Sequence, residues 1–334
     1  MKAMMLYRYG ERLALDEVPV PSPHPGELLV QVKATGLCGT DLKIIQGKLS
    51  IGPPPHVLGH EIAGVVAGRG EGVDAGWLGK RVALHLYCAC GKCRACRRGE
   101  YNMCDDLPGR LGFELPGGLA EYVTSPSRCA VELPPGMSFE EACVAPCAML
   151  TIHHAIRRAR VEPGDMVALI GVGGLGIHGV QLLAGMGNEV TAVDVVDAKL
   201  EFARKMGASQ ALTFDAFQRG GERYDVLIDM IGKADAAKES FDRKLARGGK
   251  YVLISFLPGA EMSFDVQRMA MDECQIIGIR NGSIQELRDT LAAQAEGRMK
   301  PVIDSALPLA EANAALDLIR AGKLMGRVVV SHES

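Results

Sequence analysis

Four cysteines, Cys90, Cys93, Cys96 and Cys104, stand within fifteen residues in gaps of two, two and seven, and no other feature restricts the fold of this chain so strongly. Thiolates crowded in this way seek a metal. Zinc suits them best, because it has no geometric demand of its own, accepts a closed tetrahedral shell of four sulfurs and gives folding energy to a loop that could not otherwise hold itself. Two disulfides fit less well: nothing at the start of the chain resembles a secretion signal, since Tyr7, Arg8 and Glu11 interrupt any apolar run. An iron–sulfur cluster also fits less well. The usual bacterial run closes with a gap of three and a proline, whereas here the gap is seven and Asp105 follows Cys104. A loop of this kind does no chemistry, but it marks a scaffold that the rest of the chain can be tested against.

At 334 residues the chain is too long for one ordinary core and suits two domains. A formal net charge of -3 provides no basic field, which argues against nucleic acid as a partner. No stretch of about 18 uninterrupted apolar residues is present, which argues against a membrane span. Ten cysteines with no targeting segment predict a reducing compartment, and hence a cytoplasmic protein.

The pattern up to about residue 150 is one of short strands broken by turns. Leu28, Val30 and Val32 alternate with polar neighbours, Ile62 to Val66 is an apolar run between glycines, and Arg81 to Leu84 is another. The rhythm changes after Val161-Glu162-Pro163-Gly164-Asp165. A buried strand, Met166 to Ile170, leads into glycines and a helix carrying Leu175, Leu182, Leu183 and Met186, and Glu189 to Val193 is a second strand. A helix over Lys199 to Met206, closed by Gly207, comes next. Further strands are expected at Val226 to Asp229, Tyr251 to Ser255 and Gln275 to Ile279, with a helix over Ala234 to Leu245. Repeated βα units predict an α/β domain with a doubly wound parallel sheet over 151–284, after an irregular β-rich domain over 1–150. The tail, 285–334, has two helical stretches and a terminal strand, Arg327 to Val330.

Gly171-Val172-Gly173-Gly174-Leu175-Gly176 fits the Gly-x-Gly-x-x-Gly pattern and lies directly after a buried strand, opening a helix. Its context gives it force: the first glycine permits a tight turn, Gly173 lets backbone approach a pyrophosphate, Gly176 allows close helix–strand packing, and the helix N-terminus offers amide donors. Asp194 ends the next strand, where an acid accepts hydrogen bonds from an adenosine ribose and repels a 2′-phosphate. NAD is therefore expected over NADP, with Lys199 and Arg204 close enough in sequence to soften the discrimination. A helix-capping acid is the plainer reading of Asp194.

Two more fragments, Gly36-Leu37-Cys38-Gly39-Thr40-Asp41 and Gly59-His60-Glu61, are modest alone. Together with the cysteine loop, the glycine loop and Ala145-Pro146-Cys147, the chain resembles the zinc-dependent medium-chain dehydrogenase/reductase family of the alcohol dehydrogenase type, and the resemblance runs along its whole length. It implies a GroES-like catalytic domain with a structural zinc loop (88–105), a Rossmann domain, and a C-terminal segment that returns to the catalytic domain. It also implies two zinc ions per chain, one on Cys90, Cys93, Cys96 and Cys104 and a catalytic one on Cys38, His60 and Cys147. Three protein ligands leave one coordination position open, where a metal acts as a Lewis acid on an alcohol or carbonyl oxygen. By the same resemblance the hydride passes to the nicotinamide, and the Thr40 hydroxyl accepts the alcohol proton. Asp41 fixes the His60 tautomer, and Glu61 lies near the metal as a group able to displace Cys147. A homodimer or homotetramer is implied too, through an edge strand near Val266 to Ile279.

Two departures from the family pattern stand out. Where several members carry a relay histidine, this chain has Lys43, which can relay a proton only if its pKa is lowered. Gly39 replaces a basic residue that meets the pyrophosphate, leaving Arg327 as the candidate for that role. His153 and His154 are adjacent on a helix, so at most one can face a cleft. Cys88, Cys129, Cys143 and Cys274 read as core or surface thiols. The leading expectation is an oxidoreductase acting on a small alcohol or carbonyl. The alternatives are a zinc-free quinone or enoyl reductase of the same fold and a non-catalytic dinucleotide- and metal-binding sensor.

Overall fold

The computed structural model describes residues 1–256 and 259–332. The chain forms two compact units: Met1–Leu150 with Gly282–Glu296 and Ile303–Ser334, and Thr151–Asn281 with Gly297–Val302. The tail therefore does not run wholly with the first unit, because Gly297–Val302 belongs to the second.

The first unit holds strands β1 (Lys2–Leu6), β2 (Ala14–Glu17), β3 (Glu27–Leu37), β4 (His56–Val57), β5 (Glu61–Arg69), β6 (Arg81–Leu84), β7 (Tyr122–Pro126) and β8 (Ala130–Glu132). The second holds β9 (Met166–Ile170), β10 (Glu189–Asp194), β11 (Gln210–Thr213), β12 (Tyr224–Asp229), β13 (Leu245–Leu253) and β14 (Gln275–Gly278). The chain then returns to the first unit with β15 (Ile303–Pro308) and β16 (Arg327–Ser331). The larger sheet of the first unit runs β15-β16-β3-β5-β6-β8, with β7 also paired to β3, and a small sheet runs β2-β1-β4. In β3, Leu28, Val30, Val32 and Ala34 point into the core at alternate positions, as a half-buried strand requires. Its last residues, Ala34 to Leu37, are all buried as the strand runs into Cys38.

The second unit is a parallel sheet in the order β11-β10-β9-β12-β13-β14. Strand order reverses between β9 and β12, and ligands bind outside the carboxyl ends of strands at such a switch point. The glycine loop follows β9 there. Ala168, Leu227, Phe241 and Tyr251 lie in the core of this unit.

One expected edge strand is corrected by the structure. Val266–Met271 is a helix, and only Gln275–Gly278 forms the edge. The local signal that prevails is Asp265, whose Oδ1 accepts from the Arg268 N–H at 3.2 Å and caps the helix. Among the described residues no helix is long and apolar enough to cross a membrane.

Candidate functional site

Cys38 is the N-cap of the helix Gly39–Ile45, and one buried carboxylate, Asp41, ties it to the next donor. The Cys38 N–H donates to Asp41 Oδ2 at 2.8 Å, while Asp41 Oδ1 lies 3.3 Å from His60 Nδ1 and accepts from the Gly59 N–H at 3.4 Å. With Nδ1 turned to Asp41, His60 has Nε2 left for an ion. Glu61 opens β5 and pairs with Gly36 of β3, and a methyl group at Gly36 would overlap the Glu61 carboxylate. Glycine at position 36 thus makes room for the acid. Cys147 sits on a π-helical turn, Ala145–Met149, in which the Met149 N–H reaches back to Val144 O at 3.4 Å; such turns recur at functional sites.

The donor atoms of Cys38, His60, Glu61 and Cys147 all lie within 4.8 Å of one another. Both Glu61 carboxylate oxygens are buried without a hydrogen bond, although Oε1 is 3.0 Å from Arg327 Nη2. Arg327 also approaches Cys38 Sγ at 3.7 Å. Strand register explains its place, because β16 runs antiparallel to β3 with Val328 opposite Leu37, which brings Arg327 opposite Cys38. The guanidinium expected at a phosphate is thus engaged with the metal donors.

Electrostatics shows what the cluster lacks. Hydrogen bonding from Cys147 pulls the Cys38 thiol well below its ordinary pKa, with Arg327 and His60 acting the same way. The same bond and burial push Cys147 well up, so one of the two thiols keeps its proton. Burial opposes charge on His60, yet Asp41 and Cys38 outweigh it and raise its pKa. Burial lifts Glu61 to about 7, against the pull of Arg327. Two thiols, an imidazole and an under-bonded carboxylate held together inside a protein form a donor set that a divalent cation completes, and zinc takes S, N and O ligands of this kind.

Thr40 Oγ1 lies 3.6 Å from Cys38 Sγ, and Lys43, one turn further along the same helix, is half-buried. An aromatic brace was not apparent from the sequence. The Phe113 ring packs on His60 at 5.1 Å between centroids, and the Arg110 guanidinium covers Phe113 at 4.2 Å. No spacing signal marks either residue. His153 and His154 are both half-buried on the helix Leu150–Arg158.

The four cysteines of the loop also come together, with Cys90 Sγ 3.8 Å from Cys96 Sγ and Cys93 Sγ 4.0 Å from Cys104 Sγ. Four bonds of 2.3 Å in a tetrahedron would set sulfurs about 3.8 Å apart. The N–H groups of Cys90, Cys93 and Cys96 donate to Cys104, Cys90 and Cys93 sulfurs at 3.3 to 3.4 Å. Amide donors from Cys96 and Asp105 bring the Cys93 thiol down to about 6, while burial lifts Cys96 to about 12. Cys88 is buried outside this set.

In the glycine loop, Gly171 has φ +94°, a left-handed conformation that favours glycine, and a methyl group at Gly176 would overlap the Gly171 carbonyl oxygen. At Gly173 a methyl group would meet nothing within 4 Å. Protein packing therefore gives no reason for glycine at 173, whereas a phosphate approaching the backbone does. Asp194 Oδ2 accepts from the Val172 N–H at 3.0 Å, and Oδ1 accepts from the Val195 and Val196 N–H groups at 2.8 and 3.1 Å. The acid thus anchors the loop as well as standing at the strand end. Lys199 is half-buried on the following helix; Arg204 donates to Ala211 O at 2.6 Å and is turned toward β11.

Comparison with known proteins agrees with this geometry. The alcohol dehydrogenase GroES-like domain matches residues 24–135, and the zinc-binding dehydrogenase domain matches residues 174–296. An alcohol dehydrogenase of Geobacillus stearothermophilus is 35% identical over 339 residues, covering 99% of both chains. An NAD-dependent alcohol dehydrogenase of Sulfolobus acidocaldarius is 32% identical, again over 99% of each. Among solved structures, a cobalt- and zinc-bound thermostable alcohol dehydrogenase from Pyrobaculum aerophilum superposes with a TM-score of 0.92 at 33% identity, covering 99% of both chains.

Proposed function

The chain belongs to the zinc-dependent medium-chain dehydrogenase/reductase family of the alcohol dehydrogenase type, and from that premise we propose which of its residues carry the reaction. It is an NAD-dependent zinc alcohol dehydrogenase that interconverts an alcohol with its aldehyde or ketone. The zinc-free and non-catalytic alternatives are set aside by that membership. The observation that carries the assignment of roles is the convergence of Cys38, His60, Glu61 and Cys147 beside Thr40.

Cys38, His60 and Cys147 hold the catalytic zinc, and Cys90, Cys93, Cys96 and Cys104 hold the structural one. When bound, zinc supplies Lewis acidity toward the substrate oxygen and NAD supplies the hydride acceptor. Thr40 Oγ1 accepts the proton of the substrate hydroxyl as its own proton moves on, and Lys43 lies three residues on, on the same helix face, where it can take up a proton only as the neutral amine. Asp41 holds His60 Nδ1 and so keeps Nε2 toward the ion. Arg327 holds Glu61 Oε1, which restrains that carboxylate from taking the substrate's coordination position. Gly171 to Gly176, Asp194 and Lys199 receive the dinucleotide, with Asp194 setting the preference for NAD.

A homodimer or homotetramer in the cytoplasm completes the reading. The support for association is the open side of β14, an edge with no partner among the described residues, together with Val266 and Met271, which are 81% and 75% exposed. The deciding assay follows NADH production from a panel of primary, secondary, cyclic and polyol substrates before and after chelation. Activity lost with the catalytic zinc and restored by adding zinc supports the assignment; activity that survives removal of both ions overturns it.

A further inference from the structure

His178 is buried in the first turn of the helix Gly176–Gly185 and takes no part in the scheme above. Its Nδ1 lies 2.9 Å from Gly174 O, and the Val302 N–H approaches its Nε2 at 3.0 Å. A carbonyl can only accept and an amide N–H can only donate. One state of the ring satisfies both: neutral, with the proton on Nδ1. A protonated ring would set one N–H against another.

That tautomer directs the glycine loop. With Gly174 O turned to the histidine, the Leu175 N–H must point the opposite way, because C=O and N–H are antiparallel across a planar trans peptide. Gly173, Gly174 and Leu175 are the half-exposed residues of the loop, and Gly173 has open space where a side chain would stand. The ring is also fixed on its far side. Gln181 Nε2 donates to Lys300 O and the Lys300 N–H donates to Gln181 Oε1, both at 3.0 Å, fastening Gly297–Val302 to the same helix. Any rotation of the imidazole that released Gly174 would also break the bond to Val302.

We propose that His178 is a positioning residue for the cofactor: through the Gly174 carbonyl it aims the Leu175 N–H at a phosphate oxygen of NAD. The inference rests on the assignment of this loop to NAD and deepens it. Two substitutions separate the two ends of the ring. Glutamine at 178 can still accept from Val302 through Oε1 but has no donor at the Nδ1 position, whereas asparagine keeps a donor there and does not reach Val302.

The test is a fluorescence titration of the zinc-loaded protein with NADH, with adenosine, which carries no phosphate, as a competitor. His178→Gln is expected to raise the NADH Kd about fivefold to tenfold, the effect of one misaligned hydrogen bond. Adenosine binding should stay within about twofold in that variant, and His178→Asn should bind NADH within about twofold of wild type. Unchanged NADH affinity in His178→Gln would overturn the proposal, as would a parallel loss of NADH and adenosine or an equal loss in both variants. Wild type that binds no NADH would instead refute the dinucleotide reading itself. Should neither variant fold, 15N-histidine NMR of the wild type decides. Nδ1-protonated neutral His178, free and NADH-saturated, is expected, and the Nε2-protonated form refutes the proposal.

Discussion

Part of the acid sensitivity of the first unit should come from His85. This residue follows β6 and is fully buried, with Nε2 2.9 Å from Gly282 O, the Tyr87 N–H donating to Nδ1 at 3.3 Å, and the Tyr101 ring edge-on at 5.9 Å. Burial pushes its pKa down to about 4, against the hydrogen bond to Gly282 O and the charge of Glu286. In the unfolded chain the same imidazole titrates near 6.5. Between those two values the unfolded chain binds a proton that the folded one refuses, so stability falls as the pH drops through the window. At about 1.36 kcal/mol per unit, the gap is worth about 3 kcal/mol, of which about 2 kcal/mol is lost by pH 5.

His85→Gln keeps a donor toward Gly282 O but cannot titrate. Losing the acceptor for Tyr87 should make this variant less stable at pH 7 by about 1 kcal/mol. On acidification wild type should lose more than the variant, and the two stability curves should cross between about pH 6 and pH 5. Urea unfolding at pH 7, 6 and 5 measures this, followed through Trp77, the chain's single tryptophan, which packs against the core of the first unit. Zinc release and the second buried histidine of low pKa, His332 at about 4, act on both proteins and cancel in the difference. Parallel curves for the two proteins would refute the reasoning.

The two metal clusters should separate in one pair of variants. Cys147→Ser is expected to lose one zinc and all activity while its thermal midpoint stays close to wild type. Cys96→Ser should lose the other zinc and unfold several degrees lower, and equal melting of the two by calorimetry would contradict the division into catalytic and structural sites. Arg327→Met strands a buried carboxylate and should destabilise by about 3 to 5 kcal/mol, whereas the double variant with Glu61→Gln should recover much of that; strictly additive losses in a double-mutant cycle would show that the pair is not coupled. Gly173→Ala should fold normally and weaken NADH binding, while Gly176→Ala should lower stability through its overlap with Gly171 O. Unaltered NADH affinity in the first would remove the reason given for glycine at that position. With NADP in place of NAD, kcat/KM should fall at least tenfold, about 1.4 kcal/mol from the Asp194 charge.

What the sequence made legible was local. The cysteine loop, the glycine loop and the strands over Met166 to Ile170 and Arg81 to Leu84 each lie within a few residues of chain, where spacing alone carries the signal. The Val266 segment misled because a β-branched residue beside an apolar run reads as strand, while the Asp265 cap that makes it a helix is a single side-chain hydrogen bond. Gly36 is the one partner of the metal cluster that a closer reading could have found: a glycine just ahead of Cys38, whose missing side chain makes room for Glu61.

Counter-charges were not legible, and they determine how the donors behave. Arg327 reaches Cys38 across 289 positions of sequence, and only the pairing of β16 with β3 puts it there. Motif analogy sets it at a phosphate; the geometry also sets it against Glu61. A sequence names ligands because their type and spacing are chemical requirements of the metal, but the charge that restrains a neighbouring acid need only arrive from somewhere in the sheet. If Arg327 restrains Glu61, its removal should free the acid to compete with substrate. The alcohol KM would then rise while cobalt substituted for zinc shows the absorption of a fourth protein ligand. If that spectrum matches wild type, Arg327 balances the charge of Glu61 without governing its position.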